Sequence, residues 1–410
     1  MMTAPILAAA IFCSAVTLIH AASILIAAAR FRGSARIAAG KNAFPPVSII
    51  RPLCGVDNYA ADTLRSSFNL DCAQYELLFC VAAADDPVLP LAKALIAEYP
   101  HVDAKLLIGD DRVSANPKLN NVIKGWHAAA HPWIIIADSN VLMPRDYVQR
   151  LFASWRADTG LVASPPIGCR PHGIWAELEC AFLNTYQARW QYLVDSLGYG
   201  FAQGKTMLWR RSDLDSAGGI EALAKEVAED AAATKIVRDA GLKVRLIDKP
   251  LAQPLGKRGA REVWQRQLRW ARLRRASFLP YFLPEILSGG ILPMIGVGLL
   301  AHDYAGHVAP CVLAYGAFWY GGEMLLSAAA GWHVAAAYPL YGLLRDLLIP
   351  VLFVRALQGN GFVWRGNAME VERMQAQRQR VMARMRPRVR DVADGSRRRL
   401  RSLRERFSER

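Results

Sequence analysis

From Ala4 to Ala29 the chain carries no Asp, Glu, Lys or Arg. That stretch is longer than the ~20 apolar residues a helix needs to cross a bilayer. It also exceeds the ~7 to 15 residues of a signal-peptide core, and no basic segment precedes it. The expectation is an uncleaved anchor over residues 1–32. Arg30, Arg32, Arg36 and Lys41 follow at once, and such cations tend to stay on the cytoplasmic side of a membrane helix. The segment after the anchor is therefore expected in the cytosol.

Three further apolar segments lie at roughly 281–302, 308–330 and 333–356. Three crossings would leave the arginine-rich tail outside, against the positive-inside tendency. The third segment also contains Arg345 and Asp346, which are costly in a bilayer unless partnered or interfacial. Two spans plus a re-entrant or surface segment are expected within 278–358. The tail, 365–410, holds fifteen Arg against six acidic residues and supplies much of the net charge of +15. It has no aromatic interleaving or recognisable nucleic-acid module, so no nucleic-acid partner is expected. Beside membrane helices, such cations suit anionic headgroups at ~1 kcal/mol each.

Between the apolar ends there is room for one α/β domain, at about 45–277. Val47–Arg51, Glu76–Val81, Ala104–Ile108 and Trp133–Ala137 are β-rich runs, and residues 88 to 98 have helical spacing. This alternation predicts a twisted, mostly parallel sheet with ligands beyond the carboxyl ends of its strands. Asp86 and Asp138 both fall at such ends, on opposite sides of Asn116-Pro117-Lys118-Leu119-Asn120-Asn121. A lone strand-end Asp is more often a helix cap, but two around one polar motif point to a site. Asp230 opens another helical run, where an acid also suits the helix dipole. Arg261 to Arg275 is dense in cations and includes Arg266, Arg269 and Trp270. Positions 266 and 269 share a helix face, and a basic surface helix is the plain reading of the segment. Aromatics crowd residues 173–204, a composition that suits the water–lipid boundary or an ordinary helical core. The seven cysteines are scattered with no C-x-x-C pair, which suits buried thiols in a reducing compartment.

Asp85-Asp86-Pro87, Tyr99-Pro100-His101-Val102-Asp103-Ala104, Asn116 to Asn121, Asp138-Ser139-Asn140, Ala228-Glu229-Asp230 and Arg266-Gln267-Leu268-Arg269-Trp270, taken in order and spacing, resemble the motifs of ceramide glucosyltransferases. The likeness runs from about residue 45 to about 290. It implies a bacterial inner-membrane enzyme with a GT-A (Rossmann-like) α/β domain facing the cytosol. It also implies a UDP-sugar donor, a ceramide or similar lipid acceptor, and inversion to a β-linked product. Carried onto this chain, the resemblance makes Asp230 the general base, with Glu229 as fallback. Asp86 and Lys118 would bind the nucleotide, Asp138 would hold Mg²⁺ or Mn²⁺ at the donor, Arg266 and Arg269 would face the diphosphate, and Trp270 would shape the acceptor pocket. Position 140 departs from the Asp-x-Asp pattern common in this fold, being Asn, which leaves fewer protein charges on an ion. Rival readings are transfer of N-acetylglucosamine or hexose to a hopanoid or other lipid, and a noncatalytic nucleotide-sugar or lipid sensor. A transporter would need more spans.

Overall fold

The computed structural model describes residues 4–33, 44–304, 306–359, 361–364 and 367–370. The arginine-rich tail beyond residue 370 lies outside the described residues. Helix α1 (Ala4–Gly33) leads to β1 (Val47–Leu53), and α2 (Ala60–Arg65) and β2 (Tyr75–Val81) follow. Then come α3 (Leu89–Glu98), β3 (Asp103–Ile108), α4 (Pro117–Ala128), β4 (Trp133–Ala137), α5 (Tyr147–Ala153) and β5 (Thr159–Ala163). Each expected strand is present, the first three extended by a residue or two at one end and the fourth with the expected bounds.

The main sheet has seven strands in the order β3-β2-β1-β4-β7-β5-β8, with β7 at Thr206–Arg210 and β8 at Lys243–Leu246. Strands β1 to β4 pair in parallel, while β7 runs antiparallel to both β4 and β5. β5 pairs in parallel with β8. The sheet is mostly parallel, as expected. Alternation along β1 feeds two cores: Val47, Ile49 and Leu53 face one side, and Ile50 faces the other. A sheet covered on both faces explains why β1 and β2 read as nearly continuous apolar runs. Helix α4 covers the second face closely. A Cβ at Gly125 would lie 2.7 Å from both Cys80 Sγ and Ile50 Cγ2.

A second, two-stranded parallel sheet joins β6 (Pro166–His172) to β9 (Leu251–Lys257). After β6 comes a long helical stretch: α6 (Ile174–Cys180), a π-helical segment (Ala181–Ala188) and α7 (Arg189–Ser196). Much of its aromatic content, including Phe182, Tyr186 and Tyr192, is buried against other helices. Further on lie α8 (Arg211–Ser216), α9 (Glu229–Asp239), α10 (Ala260–Ser277) and α11 (Leu279–Phe282). The chain continues through α12 (Ile291–Tyr304), α13 (Val308–Ala330) and α14 (Tyr338–Leu357), and then the hairpin β10 (Gly361–Trp364) with β11 (Asn367–Glu370).

Two helical runs among the described residues, Ala4–Phe31 and Leu279–Tyr304, are long and apolar enough to cross a membrane. The second is bent at Ser288–Gly290. Helices α1, α12 and α13 pack on one another, and α14 packs along α10. Arg345 and Asp346 on α14 are fully paired: Arg345 Nη1 lies 3.1 Å from Glu323 of α13, and its Nε lies 2.8 Å from Asp346.

Candidate active site

The polar cluster begins with a helix start. Asn116 caps α4, its side chain accepting from the backbone N–H of Lys118 and Leu119 at 3.0 and 3.2 Å, and Pro117 follows where its missing N–H costs nothing. That cap fixes where Lys118 leaves the helix. Lys118 is not a solvated helix-start residue: its side chain is only 11% exposed. Its Nζ lies 2.6 Å from Asp138 Oδ1 and 2.7 Å from Glu229 Oε1, and it donates to the Gly204 carbonyl at 2.5 Å. Three segments far apart in sequence thus meet on one ammonium group.

Asp138 follows β4 directly, and its second oxygen lies 3.0 Å from Lys205 Nζ. Lys205 also donates to Asn140 Oδ1 at 3.1 Å. Burial alone would raise the Asp138 carboxyl, but the two ammonium groups outweigh it and hold the acid well below the usual carboxylate range. Lys118 is raised, because Asp138 and Glu229 more than offset its burial. Lys205 is lowered: burial weakens it first, and the charges of Arg266 and Lys118 oppose the help from Asp138.

The loop 138–141 rests on a buried guanidinium. Arg51, in the middle of β1 and fully buried, donates through Nη2 to the carbonyls of Asp138, Ser139 and Val141 at 2.8, 2.9 and 3.0 Å. Its Nη1 holds the Thr63 carbonyl at 2.7 Å and also Ser67 Oγ.

Asp230 is the second residue of α9. Its Oδ2 accepts from Gly204 N at 3.0 Å and its Oδ1 from Ala231 N at 2.8 Å. Burial, with the Glu229 charge beside it, pushes its carboxyl up to about 6. Glu229 has both oxygens engaged, one by Lys118 and the other by Asn116 Nδ2 at 2.7 Å. Gly204 stands between the carboxylates and the amine: a Cβ there would meet Glu229 Oε1 at 2.7 Å and Lys118 Nζ at 2.9 Å.

Lys118, Asp138 and Asp230 therefore converge, joined by Glu229, Gly204 and Lys205. The other expected residues stand around them. Asp86 lies just past β2, and its carboxylate binds the N–H of Gly55 at 3.0 Å and of Val88 at 2.9 Å, tying two strand-end loops together. Asn121 bridges the same two strands, donating to Leu53 O at 3.1 Å and Cys80 O at 2.6 Å. On α10, Arg266 is bound 2.6 Å from the fully buried Glu179 of α6, so its guanidinium is held by a carboxylate. Its charge still acts on Lys205. Arg269 is half-buried on the same helix. Trp270 packs on Ala176, Cys180, Leu183 and Leu255, a core contact between α10 and α6.

Among the described residues no group of three or more His, Cys, Asp or Glu converges as a metal site. Mg²⁺ and Mn²⁺, however, take few protein carboxylates and complete their shells with phosphates and water. The Asp138 carboxylate, already attracting two ammonium groups, is a hard oxygen donor of the right kind. The residues fit an ion shared with a diphosphate; they do not fit an ion held by protein alone.

The family model described as Glycosyl transferase family 21 matches residues 15–377. Ceramide glucosyltransferase 3 of Caenorhabditis elegans is 27% identical over 341 residues, covering 80% of this chain and 73% of the relative. The ceramide glucosyltransferase of Komagataella phaffii is 33% identical over 195 residues, 42% of this chain and 38% of that one. Among solved structures, a mannosyltransferase from Pyrobaculum calidifontis in complex with GDP-Man and Mn²⁺ aligns with a TM-score of 0.47 at 16% identity, covering 85% of this chain and 97% of that one.

Proposed function

The chain belongs to glycosyl transferase family 21 and is a glycosyltransferase, and from that premise we propose that it transfers glucose or a related hexose from a UDP-sugar to the primary hydroxyl of ceramide. The product is a β-hexosylceramide, made at the cytosolic face of a bacterial inner membrane. The observation that carries this reading is the half-buried Asp230, its carboxyl raised to about 6, beside Lys118, whose ammonium joins Asp138 and Glu229, with Lys205 on the other oxygen of Asp138. A base that is ionised near neutral pH yet still basic suits removal of a hydroxyl proton during attack.

In the proposed step the acceptor oxygen attacks the anomeric carbon from the face opposite the leaving group. The new O–C bond forms as the bond from that carbon to the phosphate oxygen breaks. The acceptor proton passes to Asp230, and UDP departs with the electron pair. Negative charge grows on the diphosphate, and Lys118 and Lys205 are assigned to supply the fixed positive charge that lowers that barrier. A divalent cation held by Asp138 would supply further positive charge against the same oxygens. Arg266 contributes at longer range while Glu179 fixes its position. Glu229 and Asn116 orient Lys118, and Gly204 N–H holds Asp230 in place. Asp86, on the neighbouring strand-end loop, is assigned to the nucleoside. Arg269 is assigned to the diphosphate and Trp270 to the wall of the acceptor pocket.

The test is product analysis by mass spectrometry. Purified protein in lipid is incubated with ceramide, Mg²⁺ or Mn²⁺ and a panel of UDP-sugars, alongside Asp230→Asn. A β-hexosylceramide that disappears in the variant supports the reading. Absence of product with every donor overturns the ceramide assignment.

A further inference from the structure

Helix α1 is long and apolar enough to cross a membrane, yet its last two turns belong to the packing of the α/β domain. Ala27, fully buried, clusters with Ala163 of β5, Ile167 of β6, Leu246 of β8 and Tyr192 of α7. Phe31 meets the rings of Tyr192 and Trp332 edge-on, each at 5.2 Å between centroids. Arg30 closes this seam. Its Nη2 donates to the Leu246 carbonyl at 2.8 Å, its Nε to Asp248 at 3.1 Å and its Nη1 to Asp195, and the guanidinium lies 5.0 Å from the centre of the Tyr192 ring. An arginine that only marks the cytosolic end of a membrane helix needs no such partners, whereas this side chain is 19% exposed.

Asp195 joins the seam to the active site. It ends α7 but for one residue, and the loop 197–205 that follows carries Gly204 and Lys205 to β7. Arg30 takes its Oδ2, while its Oδ1 lies against Gly200: a Cβ there would come within 2.5 Å of that oxygen and run into the Val244 carbonyl of β8. Arg238 of α9 holds the carbonyls of Tyr199 and Gly200 at 3.0 and 3.1 Å. Further along, Ala202 N donates to Thr234 Oγ1 at 2.9 Å, and Gly204 N donates to Asp230 at 3.0 Å. Contacts therefore run without a gap from α1 through Asp195 and Gly200 to the loop that touches Asp230.

We propose that Arg30 is a positioning residue for the transfer reaction: by fixing Asp195 it fixes the loop 197–205 and keeps the Gly204 N–H on Asp230. Helix α1 is then part of the active-site scaffold as well as an anchor. The kinetic consequence rests on the reading of Asp230 as the base. A backbone N–H on a carboxylate favours its charged form, so a loosened loop raises the Asp230 carboxyl beyond about 6. The charges facing Asp230 are Glu229 beside it and Lys118 of α4, and both stay in place in the variants below.

The experiment uses the full chain in nanodiscs, as wild type, Arg30→Met, Asp195→Asn and Asp248→Asn. Hydrogen exchange is followed on peptides covering 197–205, where the amides of Gly198, Tyr199, Ala202 and Gly204 are bonded. Exchange should quicken about fivefold or more in Arg30→Met and Asp195→Asn. It should stay within about twofold of wild type in Asp248→Asn, which loses a bond to Arg30 but touches no part of the loop. The acid limb of kcat/KM should move up by about half a pH unit or more in the first two variants and stay put in the third. The double variant should shift no further than either single one, because both act through one contact. Asp195→Asn is nearly isosteric and carries the test alone if Arg30→Met does not fold. Unchanged loop exchange in a folded Asp195→Asn would overturn the proposal. Equal effects in Asp248→Asn would overturn it too, by showing that Arg30 only fastens the helix, and so would faster exchange with the acid limb still near pH 6. Faster exchange in a protein whose wild type has no acid limb would count against Asp230 as the base and leave the hold on the loop standing.

Discussion

Glu229 and Asp230 are neighbours in sequence with different fates in the fold. Glu229 spends both oxygens on Lys118 and Asn116, whereas Asp230 accepts only two backbone N–H groups and is raised to about 6. Asp230→Asn is expected to lower kcat by about 10²–10⁴-fold, and kcat/KM of the wild type should fall tenfold per pH unit below about 6. The stability effect has the opposite sign. A carboxyl raised in the folded state binds more protons there than when unfolded between the ordinary carboxylate range and about 6, so stability falls as pH rises through that window. At pH 7.5 the wild type bears this cost and Asp230→Asn does not, so calorimetry should find the variant melting at the same or a higher temperature. A lower melting temperature would contradict the burial argument. At Gly204, a methyl group would press on Glu229 and Lys118 at once. Gly204→Ala should cut activity more than tenfold while circular dichroism stays unchanged. Asp138, with both oxygens on lysines, should bind Mn²⁺ weakly alone and more than tenfold better once UDP is present, measured by titration calorimetry. Equal affinity with and without UDP would show that the protein holds the ion unaided.

At the scale of elements, the strand ends were readable from the sequence because a short apolar run followed by Asp has few other meanings in an alternating α/β pattern. Asp138 and Asp86 both emerged that way. Arg51 did not, since an arginine in a strand resembles a solvent-facing residue until the loop that covers it is known. The same holds for Gly204 and Lys205, whose sequence surroundings carry no sign that β7 runs back beside β4 and brings them to Asp138. Arg266 was expected from the sequence to face the diphosphate, but its bond to Glu179 was hidden because α6 and α10 meet only in the fold. The Arg51 contacts imply a positioning role for the loop 138–141. Arg51→Lys keeps the charge but loses the planar fork that reaches several carbonyls at once. Its donor KM should rise at least fivefold, the acceptor KM should stay within twofold, and unfolding should become easier by about 1–3 kcal/mol for carbonyls left unpaired. A fall in kcat with unchanged donor KM would argue that Arg51 does not act through the donor loop.

Across the whole molecule, the α/β domain is joined to the apolar helices by buried charge. Arg189 on α7 and Arg345 on α14 both reach Glu323 on α13, at 3.4 and 3.1 Å. Arg345 also meets Asp346, which accepts from Gly290 N at 2.7 Å, and Arg189 bonds to Ser23 of α1. The sequence exposed the cost of Arg345 and Asp346 in an apolar segment, but not the partners, which lie on helices up to 164 residues away. Two guanidinium groups and two carboxylates make the network neutral, so each single deletion leaves an uncompensated charge in a dry interior. Removing one member of such a buried set costs about 3–5 kcal/mol, whereas replacing opposite charges together costs far less. Arg345→Met and Glu323→Gln should each destabilise the protein in detergent by amounts in that range. The double variant restores neutrality and should be less destabilised than the sum by about 0.5–3 kcal/mol, read from denaturant unfolding as a double-mutant cycle. UDP affinity should stay within twofold in all three, because among the described residues no contact of the network reaches Lys118 or Asp138. Additive effects would mean that the four charges do not act as one unit. A loss of UDP affinity alongside intact folding would instead tie the helix contacts to the donor site.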